Sequence, residues 1–150
     1  DSIDVQDFSS VPQMRAREIN QEVINAVKSG KYDFVLVNLS NPDMIGHTGN
    51  LNSAIEAVKI CDQCAYDIAM ATLSMGGDCI ITADHGNCEE MIDDKGNVLT
   101  QHTTNPVPLW LVSDKHKDAK LASGKLCNVA PTVLKLLGID IPEFMEKPLF

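Results

Sequence analysis

The feature that most constrains the fold is an almost unbroken apolar run that ends shortly before a proline. Residues 32–39 read Tyr-Asp-Phe-Val-Leu-Val-Asn-Leu, and Asn41-Pro42 follows. A run rich in Val and Leu, without regular polar alternation, is typical of a strand that is buried on both faces of a parallel sheet. Proline cannot donate a hydrogen bond to a central ladder, so the chain should leave the sheet there. The run therefore predicts a buried strand over residues 32–39.

Helical and strand patterns alternate along the rest of the chain. Apolar residues recur at helical spacing in three segments that each stop at a glycine: 12–28, 50–75 and 128–137. Shorter apolar runs predict strands at 79–82 and 107–112 and a hairpin at 90–101. This alternation predicts an α/β fold, with a mainly parallel sheet and flanking helices, over residues 1–150. Such sheets bind ligands beyond the carboxyl ends of their strands.

The composition limits the kinds of partner. A net charge of -9, with the acidic residues scattered along the chain, argues against nucleic acid or an anionic membrane. No apolar run reaches the length of a membrane span, and no signal peptide is recognisable. Five cysteines, an odd number in mostly apolar surroundings, indicate reduced thiols and a cytoplasmic protein. The Cys61-x-x-Cys64 pair lies inside a helical pattern, which favours packing over a redox or zinc role.

Polar motifs follow or precede the predicted strands at the expected ligand-binding edge. Their candidate metal ligands are Asp43, His47, Asp84, His85 and His102. Carboxylates and imidazoles without thiolates favour Mn, Zn, Co or Mg. Five ligands are too many for one tetrahedral catalytic site, and the adjacent pair Asp84-His85 can serve two ions. The motifs predict a binuclear centre, with ions about 4 Å apart, of the kind that acts on phosphoryl groups.

Other roles for these residues stay open. The aspartates could cap helices, and the histidines could hydrogen-bond to turns. Glu89 and Glu90 follow Asp84-His85 closely enough to orient a ligand, or they occupy an ordinary turn. His116 lies in a charged loop and is most simply a solvated surface residue.

Three stretches carry a resemblance to a known family. Residues 41–49 (NPDMIGHTG), 83–91 (ADHGNCEEM) and 102–108 (HTTNPVP) closely resemble the C-terminal part of the cofactor-independent phosphoglycerate mutases, in the alkaline phosphatase superfamily. The likeness covers essentially the whole chain. It implies an enzyme that interconverts 2-phosphoglycerate and 3-phosphoglycerate in glycolysis, with two Mn²⁺ ions or similar metals and a phosphoserine intermediate.

The resemblance also implies a role for each ligand. Asp43, His47 and His102 match the ligands of one ion, and Asp84 and His85 match those of the second. The family completes the second ion with an aspartate near its N-terminus and with the serine nucleophile, and neither is found in these 150 residues. Ser40, the one serine beside a motif, is expected to pack or to bond to its turn. No catalytic residue is therefore assigned within residues 1–150.

The resemblance thus implies the C-terminal portion of a metal-binding phosphatase-like domain, with an incomplete alkaline-phosphatase-like fold. The strands that carry the nucleophile and the inserted transferase domain would be absent, so the 150 residues alone are expected to be inactive. An unpaired sheet edge would favour self-association. Two alternatives remain open: a metal-dependent phosphatase or related hydrolase, and a non-catalytic α/β module.

Overall fold

Helices dominate the computed structural model, which describes residues 3–150. In chain order, the elements are a 3-10 turn at Phe8–Ser10, α1 (Ala16–Lys28), α2 (Asn41–Gly46), α3 (Leu51–Ser74), β1 (Cys79–Thr82), β2 (Leu109–Val112), a 3-10 turn at Leu126–Asn128, and α4 (Val129–Leu136).

The three predicted helices are confirmed as α1, α3 and α4. Helix α1 begins at Ala16, later than the predicted residue 12, and residues 12–15 form turns instead. Asn50 caps α3, because its side-chain oxygen accepts a hydrogen bond of 3.1 Å from the backbone N–H of Ser53. Glycines follow the three helices with the positive φ angles that suit a helix end: Gly30 at 64°, Gly76 at 72° and Gly138 at 68°.

Helix α3 is the element around which the first half of the chain packs. Its buried face carries two alanines, Ala54 and Ala57, which pack with Ile45 of α2 and with Met91. Ile60 and Cys64, further along α3, pack with Ala16 of α1 and with Leu39. Alanine has no side chain beyond Cβ, so α2 can approach α3 closely at the first of these clusters. This packing fixes the C-terminal half of α2 relative to α3.

The sheet differs from the prediction. Strands β1 and β2 pair antiparallel, from Cys79 opposite Val112 to Thr82 opposite Leu109. Within residues 3–150 this two-stranded sheet is the one that forms, so a mainly parallel sheet is not observed. The physical reason lies in the connection: parallel neighbours need a crossover, usually helical, whereas residues 83–108 contain turns and isolated bridges and no helix.

The predicted buried strand at residues 32–39 is wrong in the described structure. These residues have no assigned strand partner, and 54% of Phe34 and 83% of Leu36 is exposed. The alternate side chains, of Val35, Val37 and Leu39, are partly buried. A strand requires a neighbour to receive its hydrogen bonds, and no part of the described chain pairs with this segment. The apolar run is therefore covered on one face only.

The remaining predictions concern the hairpin and the cysteines. Residues 90–101 form a turn closed by an isolated bridge between Ile92 and Val98, without extended strands. All five cysteines are free thiols. Burial, with smaller effects from the charges of Cys64 and Cys88, raises the pKa of Cys61 to about 12, which agrees with a packing role for the Cys61-x-x-Cys64 pair. No helix in residues 3–150 is long and apolar enough to cross a membrane.

Candidate metal centre

Helix α2 and the residue that caps its C-terminal end carry the first two predicted ligands. Asp43 and His47 are four residues apart, at a helical spacing that places them on one face, and their Oδ1 and Nε2 atoms are 3.2 Å apart. The segment forms a short helix with Pro42 in its first turn. Asn41, which is only 3% exposed, anchors the helix start. Its side-chain amide donates to the carbonyl oxygens of Pro12, at 2.8 Å, and Gln13, at 2.9 Å.

The buried side of α2 packs against Asn87 and Cys88, which follow the ligands Asp84 and His85 in the sequence. A Cβ atom on Gly46 would lie 2.8 Å from Cγ of Asn87 and would overlap the side-chain oxygen of that residue, so only glycine fits without movement. The Asn87 amide in turn lies 3.4 Å from Oδ1 of Asp43. The thiol of Cys88 donates to the carbonyl oxygen of Pro42 at 2.9 Å. These contacts hold the α2 ligands and the second motif together.

Four of the five predicted ligands meet at the Asp43 carboxylate. Oδ1 of Asp43 lies 3.0 Å from Nε2 of His102, 3.2 Å from Nε2 of His47 and 3.7 Å from Nε2 of His85. The two nitrogens of His47 and His102 are themselves 3.0 Å apart. Ligand atoms of Asp43, His85 and His102 all lie within 4.8 Å of one another. The geometry therefore gathers one carboxylate and three imidazoles around a small common volume.

The fifth predicted ligand, Asp84, lies at the outer side of this group. Its Oδ1 is 3.6 Å from Nε2 of His85, and 73% of its side chain is exposed. His85 thus contacts both aspartates and links the two predicted ligand sets into one contiguous cluster. His116 is elsewhere: its ring lies against Phe150, with the ring centroids 5.4 Å apart.

The hydrogen bonds of His47 assign its ring nitrogens. Nδ1 of His47 lies 2.6 Å from the carbonyl oxygen of Thr100, which can only accept, so Nδ1 carries the proton. In the neutral ring, Nε2 then presents a lone pair towards Asp43 and His102. Two acceptors, Nε2 of His47 and Oδ1 of Asp43, therefore compete for the one proton that Nε2 of His102 could donate. A cation satisfies this donor set better, because every one of these atoms can give it a lone pair.

The spacing of the donors also suits a metal ion. Bonds of about 2.1 Å place neighbouring ligands roughly 3.0 Å apart in an octahedral shell and roughly 3.4 Å apart in a tetrahedral one. The observed separations around Asp43 run from 3.0 to 3.7 Å. The residues present therefore fit a divalent cation.

The loops that carry His85 and His102 are tied to each other. Gly86 and Thr103 form an isolated antiparallel bridge, in which the Thr103 N–H donates to the Gly86 carbonyl at 2.9 Å. The imidazole rings of His85 and His102 stack, with centroids 3.7 Å apart and an angle of 19° between the planes. The bridge thus brings together two motifs that are separated by more than a dozen residues in the sequence.

Two contributors to the site were not predicted from the sequence. One is the carbonyl oxygen of Thr100, which orients His47; a backbone acceptor leaves no trace in residue identity. The other is Asn87, which is only 6% exposed and contacts Asp43. The sequence signal that could have identified Asn87 was its position directly after Asp84-His85-Gly86.

A cleft of about 580 Å³ opens beside the cluster. Its lining includes Asp84, His85 and Thr103, together with Ser123, Gly124 and Lys125. The outer ligands therefore face a volume large enough for a small molecule or a further segment of polypeptide.

The comparisons with known proteins agree with this chemistry. Residues 1–141 match the metalloenzyme superfamily, and the chain belongs to that superfamily. Within it, the chain is 48% identical over 141 residues to the 2,3-bisphosphoglycerate-independent phosphoglycerate mutase of Shigella flexneri, an alignment that covers 93% of this chain and 27% of the relative. It is 43% identical over 144 residues to the mutase of the same name from Hahella chejuensis, covering 96% of this chain and 28% of the relative.

A solved structure shows the same likeness in three dimensions. The phosphoglycerate mutase of Leishmania mexicana, crystallised at low cobalt concentration, superposes with a TM-score of 0.90 at 36% identity, over 99% of this chain and 30% of that one. The chain thus spans less than a third of the length of each of these relatives.

Proposed function

We propose that residues 1–150 supply the metal-binding part of a cofactor-independent phosphoglycerate mutase, which interconverts 2-phosphoglycerate and 3-phosphoglycerate. The observation that carries the proposal is the convergence of Asp43, His47, His85 and His102 at separations suited to a divalent cation. The identity of 48% to a mutase of that name, over nearly the whole chain, supports the choice of reaction. A cytoplasmic, glycolytic role is part of the same proposal.

The five ligands are proposed to hold two ions. Asp43, His47 and His102 would bind one, and Asp84 and His85 would contribute to the other. Mn²⁺ is the proposed metal, with Zn²⁺, Co²⁺ or Mg²⁺ as alternatives, because carboxylate and imidazole donors accept all four. When bound, such a pair supplies positive charge that stabilises the attacking and leaving oxygens of a transferring phosphoryl group.

The chain's own residues prepare the site for that role. The Thr100 carbonyl keeps the proton of His47 on Nδ1, so Nε2 is free to ligate. Asn87 contacts Asp43 from the buried side of α2, which limits rotation of the carboxylate. The exposed carboxylate of Asp84 faces the cleft, where phosphoglycerate or a further protein ligand would approach.

The rest of the reaction is assigned to residues beyond these 150. We propose that the serine nucleophile, the remaining aspartate ligand and the transferase domain lie outside these 150 residues, and we therefore expect the 150 residues alone to be inactive. An alkaline-phosphatase-like sheet, completed by further strands, is part of this proposal. Self-association through an exposed sheet edge also stays a prediction.

A chimera tests the proposal. The matching 141 residues of the Shigella flexneri mutase are replaced by those of this chain, and the chimera is produced in a host strain that lacks phosphoglycerate mutase. Interconversion of 2-phosphoglycerate and 3-phosphoglycerate by the chimera is then followed by ³¹P NMR. We expect metal-dependent turnover that is lost on His102→Ala and kept on His116→Ala. A chimera that unfolds cooperatively at the temperature of the parent mutase, yet does not interconvert the substrates, would contradict the proposal.

A further inference from the structure

The two loops that carry His85 and His102 share one carboxylate that is not itself a ligand. Oε2 of Glu89 accepts a hydrogen bond of 2.6 Å from the backbone N–H of Asn87, in the first loop. Oε1 accepts from the Thr103 hydroxyl and, at 3.1 Å, from the Asn105 amide, both in the second loop. A single side chain thus bonds to residues that lie one to three positions after His85 and after His102.

The fit around Glu89 is tight as well as polar. A Cβ atom on Gly86 would lie 2.9 Å from Cδ of Glu89 and would overlap both the Glu89 carboxylate and the Thr103 hydroxyl. The absence of a side chain at residue 86 therefore lets the carboxylate sit against the backbone between the loops. The same glycine forms the bridge to Thr103.

The neighbouring Glu90 provides an internal comparison. It accepts one hydrogen bond, of 3.2 Å, from the Asn105 amide, and no bond to the first loop is found for it among the described residues. Both glutamates have the same charge, and both are exposed. They differ in that Glu89 joins the two loops and Glu90 does not.

We propose that Glu89 is a positioning residue, which holds the His102 loop against the His85 loop so that both imidazoles face the Asp43 carboxylate. The proposal rests on the metal-binding function proposed above. Glu89 does not ligate, because its oxygens are already engaged by Asn87, Thr103 and Asn105. It acts on His102 through the adjacent Thr103, whose backbone and side chain are both held.

The ionisation of Glu89 is consistent with this role. Desolvation is the largest single influence and raises its pKa, but the hydrogen bonds, including those from Thr103, Asn105 and Asn87, together outweigh it and lower the pKa below its ordinary value. The side chain is therefore a carboxylate at neutral pH and accepts charge-assisted hydrogen bonds.

Glu89→Gln tests the proposal with little change in shape. An amide can still accept from the Thr103 side, but its NH₂ group would then face the Asn87 N–H, where two donors oppose each other. We expect affinity for Mn²⁺, measured by calorimetry on the purified chain, to fall at least tenfold, as is usual when the groups that orient metal ligands are removed. Glu90→Gln is the matched control and should change the affinity less than threefold.

A second pair of variants separates positioning from general destabilisation. Thr103→Val removes the hydroxyl group and should reproduce most of the loss in Mn²⁺ affinity. Thr103→Ser keeps the hydroxyl group and should bind Mn²⁺ as tightly as the parent chain. The melting temperatures of all four metal-free variants should stay within a few degrees of one another, since these side chains are near the surface. Equal affinities in Glu89→Gln and the parent chain, or equal losses in Glu89→Gln and Glu90→Gln, would overturn the proposal.

Hydrogen exchange in the metal-free chain tests the same contact without any metal. The Thr103 N–H donates to the Gly86 carbonyl, so its protection reports whether the loops stay together. We expect its exchange to accelerate at least tenfold in Glu89→Gln and to be unchanged in Glu90→Gln; unchanged exchange in both would refute the positioning role. A parent chain that binds no metal would count against the proposed function, and the exchange rates would still decide the role of Glu89.

Discussion

The ligands of the candidate metal centre are held in two different ways. Asp43 lies on α2 and His47 caps its C-terminal end, and this helix is fixed by a buried isoleucine, a buried asparagine and close contact with α3. Asp84, His85 and His102 lie on loops that are fixed by hydrogen bonds near the surface. The ligands at α2 therefore depend on the stability of the core, whereas the loop ligands can be loosened while the fold survives. The four substitutions below test that distinction.

The largest effect is expected at Ile45 of α2, which is fully buried against α3 and Met91. Ile45→Ala should lower the free energy of unfolding by about 3 kcal/mol, because it removes buried methylene groups and leaves a cavity. Urea unfolding of the metal-free chain measures the loss. Ile55→Ala is the control, because Ile55 lies on α3 with 45% of its surface exposed, and should cost less than half as much. Similar losses for the two variants would contradict the importance of the α2 packing.

A smaller loss is expected at the start of α2. Asn41→Ala removes the two hydrogen bonds to Pro12 and Gln13 and should lower the free energy of unfolding by about 2 kcal/mol. Asn25→Ala, which removes an exposed bond between Gln21 and Asn25, is the matched control and should have little effect. If Asn41→Ala unfolded at the same urea concentration as the parent, the proposed anchoring of α2 would be wrong.

Gly86→Ala addresses the loop ligands. The added Cβ should push Thr103 and Glu89 apart and weaken Mn²⁺ binding about tenfold, which is about 1.4 kcal/mol of binding free energy. The urea midpoint of the metal-free chain should change little, because the displaced side chains are exposed in Glu89 and partly exposed in Thr103. Calorimetric titration and urea unfolding of one preparation give both values. A large loss of stability with unchanged metal affinity would reverse the distinction between helix and loop ligands.

The smallest effect is expected at the turn that follows Met91. Gly96 has φ of 82° and open space around its Cα, so Gly96→Ala should cost about 1 kcal/mol through backbone strain alone. Gly96→Asn should cost less, because asparagine tolerates this conformation better than alanine. Thermal unfolding measures both, and metal affinity should be unchanged. A weaker metal affinity in Gly96→Ala would show that this turn also positions the loop ligands.

The success of sequence interpretation varied with the range of the interactions involved. The end of α3 followed from a local signal, the glycine directly after the helical pattern, and such a signal acts within a few residues. The pairing of β1 with β2 and the exposure of Leu36 depend on which segments lie beside each other, and apolar character alone does not determine this. Residues 32–39 have the composition of a central strand but no partner among residues 3–150.

The candidate ligands were found from residue type and motif, yet their mutual arrangement required the structure. The convergence of His85 on Asp43, as well as on its neighbour Asp84, could not be predicted from spacing, because it depends on the bridge between Gly86 and Thr103. The same is true of the Thr100 carbonyl, since a backbone oxygen has the same chemistry at every residue. The choice between two roles for Glu89 likewise depended on the position of Thr103.

The central claim is that Asp43, His47, His85 and His102 converge in one centre that binds divalent metal, and calorimetric titration of the chain with Mn²⁺ tests it most directly. The parent and His116→Ala should give the same saturable isotherm, because His116 lies against Phe150 and away from the cluster. His102→Ala should weaken binding at least tenfold, since His102 contacts both Asp43 and His47. An isotherm for His102→Ala identical to that of the parent would contradict the account.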